Sequence, residues 1–232
     1  MEKNFLNINQ IEEVSSFTEL LETKFSKAMN AVCWRRNLMG DFAEIVSKLQ
    51  LKENLTEISM QDLFALKLSE KGNLARETIS TDFRLLTEFG ASPTLNLIQS
   101  YARDEEFDFI STDVYSFHVD RSPIGSDTFL CTYYGAASEI IPNYQVEQKI
   151  LIPEIRQKLK ELHNGPDADF ESFLQEYFFD LHYQAKPGAR PINLGLGNLW
   201  RLAVDHPEQQ VLPCVHRAPV ENNGELRLMM IC

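Results

Sequence analysis

The sequence predicts an α+β fold: helices in the first hundred residues, then strands, a helical insertion, and strands again. Three observations predict it. Apolar residues in the first hundred positions recur at helical spacing. From Phe107 the chain turns rich in aromatic and β-branched residues, which suit a pleated, half-buried surface. Residues 146–183 then return to steps of three and four before strand-like stretches follow. Helices covering one side of an antiparallel core satisfy this order. Closing that core into a double-stranded β-helix, jelly-roll or cupin-like, would protect its edges. The expected organisation is a single domain, 1–232. It comprises a mainly helical support region at 1–105, a β core at 107–145 and 189–232, and a helical insertion at 146–183.

Taken in order, residues 11–29 carry Val14, Phe17, Leu20, Leu21, Phe25 and Met29 on one helical face. Ala31-Val32-Cys33-Trp34 is short and apolar, a candidate strand. Asp41 can cap a helix through Phe42, Ile45, Val46 and Leu49. Thr81-Asp82 offers another start, and Gly90 with Pro93 ends that helix; residues 95–101 then read as helical. Residues 107–120 and 127–134 read as strands. In the insertion, Phe170, Phe173, Leu174, Tyr177, Phe178 and Leu181 form one apolar stripe, which packs on the core. After the Pro187 to Pro191 break come three strand-like stretches, 192–204, 211–217 and 225–231.

With 232 residues, 44% of them hydrophobic, the chain can bury a continuous core. Its formal charge of −12 repels phosphate backbones and anionic lipid, which argues against nucleic acid and membrane partners. No apolar run approaches the length of a bilayer span. Met1-Glu2-Lys3-Asn4 leads into an acidic amphipathic stretch and not an apolar signal core. Cys33, Cys131, Cys214 and Cys232 are far apart and make no CxxC pair. A cytoplasmic protein with reduced thiols and a small-molecule or protein substrate is expected. The sequence carries no signal for oligomeric state.

The chemistry-bearing stretch is Tyr115-Ser116-Phe117-His118-Val119-Asp120. On a strand, His118 and Asp120 point to one side, and Phe117 and Val119 to the other. An imidazole and a carboxylate at that spacing can grip iron, manganese or zinc. His216, on the strand-like stretch before Ala218-Pro219, is the candidate third ligand. Asn222-Asn223-Gly224 signals a turn, so residues 211–217 and 225–231 read as a hairpin. Both turn lengths considered put His216, Arg227, Met229 and Ile231 on one face. Arg227 is then a lone guanidinium on an apolar face, for which a bound carboxylate is a natural partner, or else an exposed strand cation or a salt-bridge member.

HxD, a distal histidine, and an arginine eleven residues beyond it resemble the Fe(II)/2-oxoglutarate dioxygenase superfamily. The resemblance implies a facial triad on a double-stranded β-helix, with His118, Asp120 and His216 holding Fe(II). It implies that Arg227 binds the distal carboxylate of the cosubstrate, 2-oxoglutarate. The activity implied is decarboxylation of 2-oxoglutarate to succinate and CO2, coupled to oxidation of a primary substrate. With Asp at position 120 the carboxylate ligand is present, which favours hydroxylation or desaturation over halogenation. The interval from His118 to His216 is longer than is usual in the superfamily, and the insertion accounts for the excess. The chain also looks like an uncharacterised bacterial family. Phe117-His118-Val119-Asp120, Leu130-Cys131-Thr132-Tyr133, Val215-His216-Arg217-Ala218-Pro219 and Arg227-Leu228-Met229-Met230 carry that likeness, which covers most of the chain.

Thr132 and Tyr134 share one face of the strand after the HxD motif, and either can hydrogen-bond 2-oxoglutarate or substrate. The opposite register makes Cys131 and Tyr133 the inward pair, with Tyr133 a candidate substrate contact. Arg121 and Arg217, with Lys186 and Arg190, either line the mouth for an anionic substrate or form a solvated charge set. His163, His182 and His206 read as surface or helix residues. Cys214 shares the parity of His216 and reads as a small buried hydrophobe. The competing function is a non-enzymatic metal-binding β-barrel, zinc or iron, serving metal homeostasis.

Overall fold

Each helix of the N-terminal half begins where a short polar side chain can close its first turn. The computed structural model describes residues 10–220 and 224–232. In it α1 (Phe17–Glu22), α2 (Phe42–Lys48), α3 (Met60–Ala65) and α4 (Glu70–Phe89) are capped by Ser16, Asp41, Ser59 and Ser69. Each cap accepts from the backbone N–H three residues on. Asp41 thus caps the helix expected of it. α4 starts earlier than the sequence suggests: Thr81 and Asp82 lie in its interior, where Asp82 is buried and paired with Arg36. It ends as expected at Gly90, whose φ of 99° is open to glycine. Later come α5 (Pro153–His163) and α6 (Phe170–Glu176).

The strands form two sheets, so the protein is mixed α+β. The larger sheet holds β1 (Ile11–Val14), β2 (Ala31–Trp34), β3 (Leu55–Glu57), β4 (Thr94–Ile98), β6 (Asp127–Tyr134), β11 (Leu199–Ala203) and β13 (Arg227–Ile231). Their spatial order is β1-β2-β11-β6-β13-β4-β3. The smaller holds β5 (Phe117–His118), β7 (Glu139–Ile140), β8 (Val146–Gln148), β9 (His182–Ala185), β10 (Ile192–Asn193) and β12 (His216–Arg217), ordered β10-β7-β12-β5-β9-β8. From β4 to β7, and again from β10 to β13, successive strands alternate between the sheets. One face of the larger sheet packs on helices: Leu97, Cys131, Leu228 and Met230 join Leu20, Ile45, Ile79 and Leu86. Its other face meets the smaller sheet, where Leu130, Trp200 and Leu202 pack with Ile140 and Cys214. Burying each such Leu or Ile contributes about 1.5–3 kcal/mol.

Several stretches differ from the reading of the sequence. Residues 11–29 are not one helix: Ile11–Val14 pairs parallel with β2, and Ser16 opens the short α1. Residues 95–101 contain β4, which lies between β13 and β3. It is buried on both faces although Asn96 is polar, and its alternation, Thr94-Leu95-Asn96-Leu97, is too short to mark a strand against the apolar Leu95, Leu97 and Ile98. Within 107–120 only Phe117–His118 pairs as strand. Residues 146–183 hold α5 and α6, but β8 opens the segment and β9 begins at its end, both in the smaller sheet.

The expected hairpin is also absent. β12 pairs with β5 and β7, whereas β13 pairs with β4 and β6. Pro219 has no N–H to give a ladder, and the chain crosses to the other sheet. Asn222 and Asn223 of the expected turn lie outside the described residues. The face parity still holds, because Ile231 packs in the layer between the sheets while Leu228 and Met230 face the helices.

Candidate metal centre

His118, Asp120 and His216 converge. Phe117, Val119 and Val215 pack together on the outer face of the smaller sheet, which turns His118 and His216 inward. The two histidines are register partners on β5 and β12, with ring centroids 4.5 Å apart. Asp120, just past β5, brings Oδ1 to 4.0 Å from His118 Nε2 and Oδ2 to 3.6 Å from His216 Nε2. One donor atom from each of the three lies within 4.8 Å of the other two.

The surroundings orient these atoms. His118 Nδ1 is 2.8 Å from Ser116 O, and His216 Nδ1 is 3.2 Å from Cys214 O. With each Nδ1 engaged by a carbonyl two residues earlier, each Nε2 keeps its lone pair for the centre. Thr128, on β6 of the larger sheet, donates its hydroxyl to Asp120 Oδ2. Burial, aided by His216, pushes the His118 imidazole down to about 4, so it is neutral at physiological pH. Burial acts against the Asp120 carboxylate, but His216, the Thr128 hydroxyl and His118 hold it below its ordinary value.

A metal fits this donor set. Two imidazole nitrogens and a carboxylate suit borderline divalent ions such as Fe(II) and Zn(II). With ligand bonds of about 2.1 Å, neighbouring donors sit about 3.0–3.4 Å apart, so the Asp120 carboxylate, 4.0 and 3.6 Å from the two imidazoles, needs only a small approach to share an ion with them.

His182 is the residue that the sequence reading missed. It is 4% exposed and sits on β9 as the register partner of His118, with ring centroids 5.7 Å apart. Its Nδ1 has no hydrogen-bond partner among the described residues. Burial, with His118 and Lys149 nearby, pushes it down to about 3. The signal was present in the alternation of His182-Tyr183-Gln184-Ala185, which the preceding helical pattern masked. His163 ends α5 and His206 lies in a loop, both half-buried. Cys214 is buried in the layer between the sheets, and burial raises its thiol.

Arg227 is 3% exposed and reaches from the larger sheet to the smaller. Nε donates to Ala136 O at 2.6 Å and Nη2 to Ser138 Oγ at 3.2 Å. Ser138 stands two residues along from Ile140, the β7 partner of His216. Gly135, with φ 83°, permits this approach: a Cβ there would lie 2.4 Å from Leu226 O. Thr132 lies opposite Met229 and faces inward, and its buried Oγ has no partner among the described residues.

Other candidates lie elsewhere. A β-bulge between Leu228 and Met229 skips Tyr133 and sets Tyr134 opposite Leu228, on the helix side. Tyr134 therefore does not share the face of Thr132. Tyr133 faces the helices too, donating to Asp82 Oδ2 at 2.8 Å and stacking on Phe42. Arg217 points to the outer face, bound to Glu139 at 2.7 and 2.8 Å and lying over Phe117. Arg121 pairs with Asp180 and Asp205 in the wall of a surface groove of about 570 Å³ that none of the triad lines. Among the described residues no helix is long and apolar enough to cross a membrane. Compared with protein-family models, curated proteins and solved structures, the chain finds no match.

Proposed function

We propose that this chain is a non-haem Fe(II)- and 2-oxoglutarate-dependent dioxygenase that hydroxylates a small molecule or a protein side chain. The observation that carries the reading is the convergence of His118, Asp120 and His216, each with its metal-facing atom oriented by a second group. Alternation of strands between two packed sheets supports a double-stranded β-helix as the core.

Bound iron supplies activation of O2 coupled to decarboxylation of 2-oxoglutarate. The chain does the rest. His118, His216 and Asp120 would hold the metal. Arg227, buried between the sheets, takes the distal carboxylate of the cosubstrate by charge-assisted hydrogen bonds. Thr132 Oγ, buried without a partner among the described residues, donates to the same ligand and is relieved of its desolvation cost, about 1–3 kcal/mol. Leu130, Ile140 and Trp200 keep water out of the layer beside it.

The competing reading is a metal-binding protein without a reaction, zinc or iron. It is favoured by the bonds that Arg227 already makes to Ala136 O and Ser138 Oγ. One titration separates the two. Under anaerobic conditions, iron-loaded protein with 2-oxoglutarate should develop the weak visible charge-transfer band of a chelated 2-oxo acid. Arg227→Gln should retain iron and need far more 2-oxoglutarate to show the band. Iron-loaded wild-type protein with no band would remove the oxygenase reading and leave the metal store.

A further inference from the structure

Three neighbouring strands of the smaller sheet carry histidines in one line. His216, His118 and His182 are successive register partners on β12, β5 and β9. β8 pairs with β9 up to Gln148 opposite Tyr183, and Lys149 opens the 3-10 turn that follows directly. Lys149 lies close enough to His182 to act on its imidazole through space, and it reaches from there toward β5. Its Nζ donates to Ser116 Oγ at 2.9 Å, two residues before His118, and to Ser111 O at 3.2 Å.

Two features at this end of the line have no explanation within the protein alone. His182 is nine-tenths buried, and its Nδ1 makes no hydrogen bond among the described residues. Lys149 is half-buried, belongs to no ion pair among the described residues, and has a third ammonium hydrogen uncommitted. The acidic groups that act on it through space are Asp104 and Asp113. Both are occupied by their own loop. Asp104 accepts from Thr112 and Glu106, and Asp113 from Asp104, Tyr115 and Ser116. A desolvated cation beside an unmatched buried nitrogen is costly until a ligand engages both.

The geometry points to Lys149 and His182 as a subsite for an oxyanion, carboxylate or phosphate, on a small-molecule primary substrate. This rests on the reading above, in which the triad holds the metal and Arg227 serves the cosubstrate. Arg227 and Lys149 belong to different sheets, so two anionic ligands have separate receptors. Strands lie about 4.8 Å apart, which sets the anion about 5–10 Å from the metal, and the oxidised carbon a few bonds from the acid group.

The test uses full-length protein loaded with Zn(II), with ¹⁵N-labelled histidine, and saturated with 2-oxoglutarate. Benzoate, inorganic phosphate and benzamide are titrated while the His182 ring resonances are followed. Benzoate or phosphate should give a saturable shift and benzamide none, and whichever anion saturates first identifies the group. Lys149→Met should weaken anion binding roughly tenfold or more with zinc content unchanged, and Lys149→Arg should restore most of it. The assignment is overturned by zinc-loaded wild type that shows no anion response, or by Lys149→Met binding benzoate as tightly. It also falls if raising 2-oxoglutarate displaces the anion, since the subsite then belongs to the cosubstrate. Wild type that fails to hold zinc would overturn the metal reading itself.

Discussion

His118 stands directly opposite His216 across the β5–β12 pair, with ring centroids 4.5 Å apart and each Nδ1 held by a backbone carbonyl. The pair is therefore pre-set by sheet register and not by flexible loops. Asp120 completes it from the segment just past β5, steadied by Thr128 of the other sheet. Thr128→Val keeps the volume and removes that hydroxyl. Metal affinity should fall about 10–100-fold, as measured by competition with a chromophoric chelator. An unchanged affinity would mean that the hydroxyl does not orient the carboxylate.

Behind the larger sheet, Arg36 grips Asp82 through two hydrogen bonds of 2.6 and 2.8 Å, and Tyr133 donates to the same carboxylate. Asp82 is 1% exposed. Removing it leaves Arg36 desolvated and unmatched, so Asp82→Ala should cost about 3–5 kcal/mol in urea unfolding. Tyr133→Phe should cost less, about 1.5–3 kcal/mol, with metal binding intact, because the residue faces away from the triad. Loss of metal in Tyr133→Phe would contradict that placement.

Glu44 ties α2 to the start of α4. Lys48, the Ser69 hydroxyl and the Ser69 N–H together hold its carboxyl at about 2. A folded-state value below the ordinary one means that its contribution is complete above pH 4.5 and is lost as pH falls toward 2. Wild type should thus be more stable than Glu44→Gln at pH 7 and pH 5, and the difference should close by pH 2. Thermal midpoints across that range report it. A difference that persists at pH 2 would exclude the proposed linkage.

Gly72 sits in the first turn of α4, where alanine ordinarily gains about 0.8–1.0 kcal/mol. Here a Cβ would lie 2.2 Å from Glu44 Oε2 and 2.9 Å from Leu68 Cβ. Gly72→Ala should therefore be more harmful in wild type than in a Glu44→Ala background, as a double-mutant cycle in urea reads out. Equal effects in both backgrounds would show that Glu44 yields freely.

The triad was legible because period-two spacing survives in any strand, whatever it pairs with. His118 and Asp120 share a side by arithmetic alone, and Arg227 keeps its inward parity although β13 pairs with β4 and β6, not β12. Asp41 and Gly90 were legible as helix ends, since capping is local. What the sequence hid depended on partners. Thr94–Ile98 alternates over only four residues before Ile98 breaks the pattern, and its buried polar face, with Asn96, is explained only by its pairing with β13 and β3. The bulge that turns Tyr134 away from Thr132 exists only in the β6–β13 pairing. His182 follows an aromatic helical stripe, and only the pairing of β9 with β5 sets it beside His118.

The most direct test is equilibrium dialysis of wild type, His118→Ala, Asp120→Ala and His216→Ala against Fe(II) without oxygen, with metal and protein quantified on each side. Convergence of the three side chains predicts one tightly held ion per wild-type chain and its loss in each variant, with folding retained by circular dichroism. Wild type without a bound ion, or any of the folded variants binding as wild type does, would contradict the metal centre.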